Sequence, residues 1–320
     1  MPMSNPFEAF GDIDEIADGL SSPDASVRRL AVIELAETSN SQAVSYLARV
    51  VSDASSGVRL QAARALGEFD GCDVAEALVR LVADSDMDVA QAAADSLAEL
   101  RDPDVSTELL SLVSHRSAFV RAAVFRALKA LQVQESLGPA VAALGDGDAA
   151  VRVQAVGVIG YLKLLDTLPS LIHASKDGNA DVRLAAVSAL SFAQNEVAAR
   201  AAADALADSE WQVRAAAAEA IGRVNVTSAS GALVRSLGDT YWQVRQKALQ
   251  SLGKLKARDA VPAILAFLDD DLPSVRKDAA AALGEISDPR AHDRLAEHVL
   301  DPDPDVRKTV VWALGQLRDA

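Results

Sequence analysis

The chain is 320 residues long, half of them apolar but only 4% aromatic, with a formal charge of −15 and a pI near 4.7. Much of the apolar share is alanine, which loses no side-chain entropy in a helix, so the composition favours close helix packing over strands. A field of this sign repels phosphate backbones and argues against a nucleic-acid partner, and no apolar run approaches the ~20 residues that cross a bilayer.

The charge is uneven. Residues 241–320 hold 12 Lys/Arg against 13 Asp/Glu, whereas the first 240 hold 19 against 33, so a cationic partner would be steered to the N-terminal three-quarters. The opening Met1-Pro2-Met3-Ser4-Asn5-Pro6 has neither the basic nor the apolar region of a leader. Cys72 is the single cysteine, so no intrachain disulfide forms. Together these predict a cytoplasmic protein.

In chain order, Phe7 and Phe10 come first and are expected to cover the first hairpin as a cap over residues 1–11. From residue 12 to 320 a unit of 31 residues recurs ten times without insertion or deletion. It is marked by Val-Arg at Val27, Val58, Val120, Val151, Val182, Val213, Val244, Val275 and Val306, with Val89-Ala90 filling the one gap. Each unit reads as two helices, A and then B. Helix A carries an apolar residue eleven before the Val (Ile16, Leu47, Leu78, Leu109) and another four later (Leu20, Val51, Val82, Val113). Helix B begins near a capping Asp24, Ser55, Asp86, Ser117, Asp148, Asn179 or Asp303, with Pro273 and Pro304 at its first position in the last two units. It then places small and larger apolar residues four and eight after the Val, as in Ala31 and Leu35 or Ala279 and Leu283, on one face. Glycine nine after the Val in six units (Gly67, Gly160, Gly222, Gly253, Gly284, Gly315) predicts a left-handed end to helix B.

Neither helix can bury its stripe alone, so the hairpins must stack. The predicted fold is all-α: one right-handed α-solenoid superhelix over residues 1–320. Asp stands five before the Val in eight units, from Asp53 to Asp301, and Arg follows the Val in nine. This predicts a structural ladder of Asp and Arg between adjacent units rather than catalytic carboxylates.

The pattern D-x-x-x-x-V-R-x-x-A-A-x-A-L-G, close to intact over Asp270–Gly284 and Asp301–Gly315, resembles the short HEAT-like repeats named after phycobilisome lyases. The resemblance runs from about Ile13 to Leu317. It implies a HEAT-repeat fold and one of two roles: a binding scaffold or maturation factor, or a subunit that attaches or isomerises bilin chromophores on phycobiliproteins. The shared residues build the repeat and assign no catalytic position. The iron-binding HEAT-like hydroxylases carry His-Glu dipeptides, which are absent here, and the HEAT-like DNA glycosylases use a basic face, which the charge opposes.

Candidate site residues are those of helix B outside the core stripe, expected to line a concave wall. In units four to six they include Phe119, Ala122, Arg126, Val153, Gly157, Leu184 and Ser188, an apolar small-residue lining charged only at Arg126 and Asp181. The next two units repeat Trp-Gln-Val-Arg and add Trp211, Tyr241 and Trp242, aromatics of the kind that anchor interfaces. Trp at this turn serves equally to pack on the neighbouring repeat. Gln246 and Gln250 continue the wall as a polar stretch. The four histidines are scattered with no metal-ligand spacing, and Cys72 beside Asp70 and Asp73 reads as an incidental thiol. The sequence therefore predicts a cytoplasmic scaffold or chaperone without cofactor that grips a protein partner. The alternative is a bilin lyase or isomerase, with Arg126, Asp181 and Trp211 as its pocket if they converge. The last repeat lacks an extra capping helix after Leu317, and Val311 and Trp312 there suggest a hetero- or homodimer contact.

Overall fold

A computed structural model describes residues 13–318; the expected cap with Phe7 and Phe10 lies outside the described residues. Twenty α-helices form two compact units, divided between Leu162 and Lys163, and the described residues contain no strand. Odd-numbered helices are the A helices and even-numbered ones the B helices of the ten repeats.

The first unit comprises α1 (Ile13–Asp18), α2 (Ala25–Glu37), α3 (Gln42–Leu47), α4 (Ser56–Leu66), α5 (Cys72–Leu81), α6 (Met87–Leu97), α7 (Ser106–Leu110), α8 (Ala118–Leu131), α9 (Leu137–Ala143) and α10 (Ala149–Leu162). The second comprises α11 (Leu168–Ala174), α12 (Ala180–Ala189), α13 (Glu196–Ala205), α14 (Trp211–Val224), α15 (Ser230–Ser236), α16 (Trp242–Lys254), α17 (Val261–Leu265), α18 (Pro273–Ile286), α19 (His292–Glu297) and α20 (Pro304–Arg318). Most A helices are a turn or two long and extended by a 3₁₀ turn, such as Pro103–Val105 before α7.

Within each unit the predicted stripes meet. Leu47, Leu78 and Leu109 of the A helices, and Leu35, Leu66, Leu97 and Leu128 of the B helices, are fully buried in the first unit; Leu171, Leu233, Ile264, Leu190, Ile221, Leu252 and Leu283 are buried in the second. Helix B starts where the Asp and Asn caps predict it. The carboxylates of Asp24 and Asp86 accept the backbone N–H two residues on, and the Asn179 side chain accepts those of Asp181 and Val182. Ser55 and Ser117 hold the same position without a side-chain cap bond.

The ladder is present as predicted. Arg28 donates from Nε and Nη2 to both carboxylate oxygens of Asp53, 25 residues on, at 2.7 Å each. Its Nη1 meanwhile binds the carbonyls of Ser22 and Pro23 in its own A–B loop. The same ion pair links Arg59 to Asp84 and Arg121 to Asp146 in the first unit. In the second it links Arg183 to Asp208, Arg214 to Asp239, Arg245 to Asp270 and Arg276 to Asp301. Each such Asp also takes the N–H two residues later, as Asp53 does from Ser55 at 2.8 Å. One side chain thus closes its own loop and holds the preceding repeat.

The recurring ninth-position glycine departs from expectation. Gly160, Gly222, Gly253, Gly284 and Gly315 lie inside their helices, and Gly67 caps α4 with φ −66°. Left-handed residues stand three positions after Gly160, Gly222, Gly253 and Gly284, at Lys163, Asn225, Lys256 and Ser287, and likewise after Ala36 and Lys129, at Ser39 and Gln132. Gly67, Gly222, Gly253 and Gly284 serve helix contact instead. A Cβ on Gly222 would lie 2.4 Å from Ser251 Oγ, and one on Gly284 would lie 2.9 Å from the Cα of Ala313. Ser96 and Ser251 donate across this close approach to the carbonyls of Ala63 and Ala218, at 2.9 and 2.7 Å.

Candidate partner-binding wall

The outer positions of the B helices are set by what their neighbours leave uncovered. In the first unit Phe119, Ala122, Val153 and Gly157 are half-buried rather than exposed, and Ala123 is buried. The small-residue lining is therefore largely helix contact: the Lys129 side chain of α8 lies over Gly157, its Cδ 3.0 Å from where a Cβ would stand. Arg126 is committed to Asp95 of α6 at 2.8 Å. In the second unit Leu184 is half-buried, and exposed Ser188 donates its hydroxyl to the Leu184 carbonyl at 2.8 Å.

The structure does bring Trp211 and Tyr241 together. Helices α14 and α16 stand one repeat apart, so the residue that opens α14 meets the one that caps α16. Their rings stack with centroids 5.6 Å apart and planes 14° from parallel. The Arg214 guanidinium, fixed by Asp239, sits 5.6 Å from the Tyr241 ring centre. Trp211 is half-buried under this stack, while Tyr241 and Trp242 are 45% and 39% exposed. The result is an aromatic step at the A–B loop edge of repeats 7 and 8, braced from below by a ladder rung. Glu210 and Tyr241 occupy the cap positions without a side-chain cap bond.

Gln246 and Gln250, one helical turn apart on α16, both donate to the buried carboxylate of Asp278 on α18, the second at 3.3 Å. They are arranged to hold an internal charge, a role that sequence spacing does not separate from ligand contact because Asp278 arrives from the next repeat. Glu219 is similarly engaged. It pairs with Lys247 at 2.8 Å and Arg223 at 2.6 Å, and its hydrogen bond to Lys247 holds its carboxyl below the usual range. Trp312 of α20 lies against Gly284 of α18, whereas Leu300 and Val311 are 85% and 60% exposed.

One groove is assembled only by the fold. Between α4 and α6 runs a groove of about 660 Å³ bordered by Arg64, Glu68, Asp88, Gln91, Asp95 and Glu99. Its charges are spread over positions one before to ten after the Val of two repeats, so no local motif marks them. Cys72 is exposed at the first position of α5, and desolvation with the nearby carboxylates of Glu108, Asp102, Asp104 and Asp73 pushes its thiol pKa up, away from reactivity. Among the described residues no three His, Cys, Asp or Glu side chains are arranged to hold a metal, and no helix is long and apolar enough to cross a membrane.

The family model for HEAT repeats matches residues 13–94, 74–144, 137–222, 199–282 and 262–320. Solved structures share the fold at low identity. An engineered protein from the Northeast Structural Genomics Consortium is 19% identical with a TM-score of 0.52, covering 96% of this chain and 99% of its own. Kap95 in complex with Nup1 is 14% identical with a TM-score of 0.65, over 96% of this chain and 50% of Kap95. Kap95p bound to RanGDP gives 14% and 0.65 over 95% of this chain and 50% of that one. The chain thus spans half the length of Kap95. A search of the curated proteins found no match.

Proposed function

Because this chain belongs to the HEAT-repeat family, we propose that it is a cytoplasmic protein-binding scaffold that seats a segment of a partner against its B-helix wall, as a maturation chaperone does. The observation that supports this is the aromatic step. Two large side chains, Tyr241 and Trp242, stand well exposed on a rigid support, where rotamer entropy lost on binding is small and apolar area gained is large. The fold shared with Kap95, whose structures hold Nup1 and RanGDP, makes a protein the favoured class of partner. Leu300 and Val311 leave exposed apolar surface on the last repeat, a second contact for a partner or another copy.

The finer likeness to the phycobilisome-lyase type of repeat keeps a bilin-handling role as the second reading. Such a role needs free cations and an aromatic gathered at a narrow pocket. Arg126 is already spent on Asp95 and Trp211 on Tyr241, which favours the scaffold.

The test immobilises the whole chain, offers it cell lysate or free bilins, and compares a Tyr241→Ala/Trp242→Ala variant with Val141→Ala as a surface control. A protein retained by wild type and control but lost from the aromatic variant supports the scaffold and its site. Equal retention by all three removes the aromatic step from the interface. A tetrapyrrole held with a red-shifted absorbance puts the second reading first.

A further inference from the structure

The Asp–Arg ladder has a missing rung, and both of its ends are missing together. Arg28 reaches Asp53, Arg59 reaches Asp84, and Arg121 reaches Asp146. By the same spacing of 25 residues the rung between repeats 3 and 4 would join positions 90 and 115, which are Ala90 and His115. The loop at repeat 4 is otherwise built like the rest: His115 Nδ1 accepts the Ser117 N–H at 3.2 Å, as Asp53 accepts that of Ser55, and Arg121 still binds the His115 carbonyl at 2.7 Å. The loop is kept and the bridge to the preceding helix is not.

Other ties are weak at the same junction. The close helix approach that joins α4 to α6 through Gly67 and Ser96 is not repeated from α6 to α8, where Ala98 and Ala127 hold those positions, nor at α2 to α4 (Ala36, Ala65) or α8 to α10 (Lys129, Val158), so the rung is what those junctions keep and this one lacks. The polar contact here is Arg126 to Asp95, whose side chains are 42% and 54% exposed, a pair that water and salt screen. In the A layer, Glu108 of α7 carries a buried Oε2 with no hydrogen-bond partner among the described residues, a standing cost at this site.

We propose that the junction between repeats 3 and 4 is a built-in compliant joint of the first unit, at which helices α5–α6 and α7–α8 part and tilt more readily than other neighbouring repeats of that unit. In a stacked array stability is a sum of repeat and interface contributions. An interface stripped of its bidentate rung and its buried polar satisfaction is the one that opens first. The joint lets the wall formed by repeats 1–3 adjust against repeats 4 and 5 without unfolding either.

Amide hydrogen exchange on the full chain reads this directly. In wild type, amides of α6 and α7 should exchange about tenfold faster than those at matching positions of α4 and α9. An Ala90→Arg/His115→Asp variant restores the rung and should slow α6 and α7 about tenfold while leaving α16 and α18 unchanged. Because Ala90 is buried, the reverse variant keeps the test open: Arg59→Ala/Asp84→Ala removes the rung between repeats 2 and 3 and should bring α4 and α5 to the faster rate there. Equal protection of the junctions in wild type, or no acceleration when the Arg59–Asp84 rung is removed, overturns the proposal.

Discussion

Gly222 and Gly315 hold the same place in their repeats, nine after the Val, yet alanine at the two should change stability in opposite directions. At Gly222 the new Cβ would lie 2.4 Å from Ser251 Oγ, 2.8 Å from its Cβ and 3.0 Å from its Cα. Ser251 is 2% exposed and its hydroxyl is bonded to the Ala218 carbonyl at 2.7 Å, so it has no free rotamer to swing into and α16 must shift. Overpacking of this kind costs about 1–3 kcal/mol. The contact reaches backbone, which places it in the upper half, and the helix preference of Ala over Gly offsets roughly 1 kcal/mol. The net expectation is a loss of about 1–2 kcal/mol. At Gly315 nothing lies within 4 Å, so only the helix preference acts and Gly315→Ala should gain about 0.5–1 kcal/mol. Adding Ser251→Ala to Gly222→Ala relieves the shortest contact but not the other two, and should rescue only part of the loss. Urea denaturation followed by circular dichroism measures the sign. Amide exchange in α14, α16 and α20 localises it, since a repeat array need not unfold in one step. Both alanines shifting stability the same way would refute the close-approach account.

The remaining expectations concern core, rung, stack and acid. Leu190→Ala opens a cavity at a fully buried position and should lower stability by about 2–5 kcal/mol in the same titration. Arg59→Ala strips the charged partner from Asp84 and frees the carbonyls of Asp53 and Ala54, which should cost about 1.5–3 kcal/mol. A double-mutant cycle on Trp211→Ala and Tyr241→Ala should show a coupling of about 0.5–1.5 kcal/mol from the stacked rings, and none would mean that they merely touch. Hydrogen bonds from their arginines hold the carboxyls of Asp53, Asp84, Asp146, Asp208, Asp239 and Asp301 below the usual range, and Arg290 brings Asp288 to about 2. Folded values below the unfolded one near ~3.9 mean that this stability is full above that pH and is lost as pH falls through the lowered values. Melting temperature should therefore hold steady down to about pH 4 and drop steeply below it, less so in Arg59→Ala.

Much of the architecture is legible in the one-dimensional repeat. The Val at 31-residue intervals, the stripe four and eight residues on, and the Asp and Arg at constant offsets all reappear as helix B, its buried face and the ladder. They are legible because each is enforced once per repeat by the same local geometry. The missing rung is legible for the same reason, since Ala90 and His115 break the pattern at positions the spacing pairs. The candidate wall is less so. Trp211 and Tyr241 are marked as aromatics by sequence, but their stacking depends on how far α14 stands from α16. Gln246 and Gln250 look free until Asp278 is placed between them by the next repeat.

The ninth-position glycine marks the limit. Its identity at the end of a predicted helix suggests a left-handed stop, yet the stop falls three residues later on Lys163, Asn225, Lys256 and Ser287, where the N–H of Asn225, for example, closes onto the Ile221 carbonyl. Nothing local distinguishes Gly222, pressed against Ser251, from Gly315, which meets no atom within 4 Å. The sequence by itself determined the period, the helix faces and the ion-pair ladder, because these follow from spacing within a chain of identical steps. Only the tertiary structure decided which small residues are exposed, which polar groups are already satisfied and where a methyl group fits, because those depend on distances between helices that no single repeat contains.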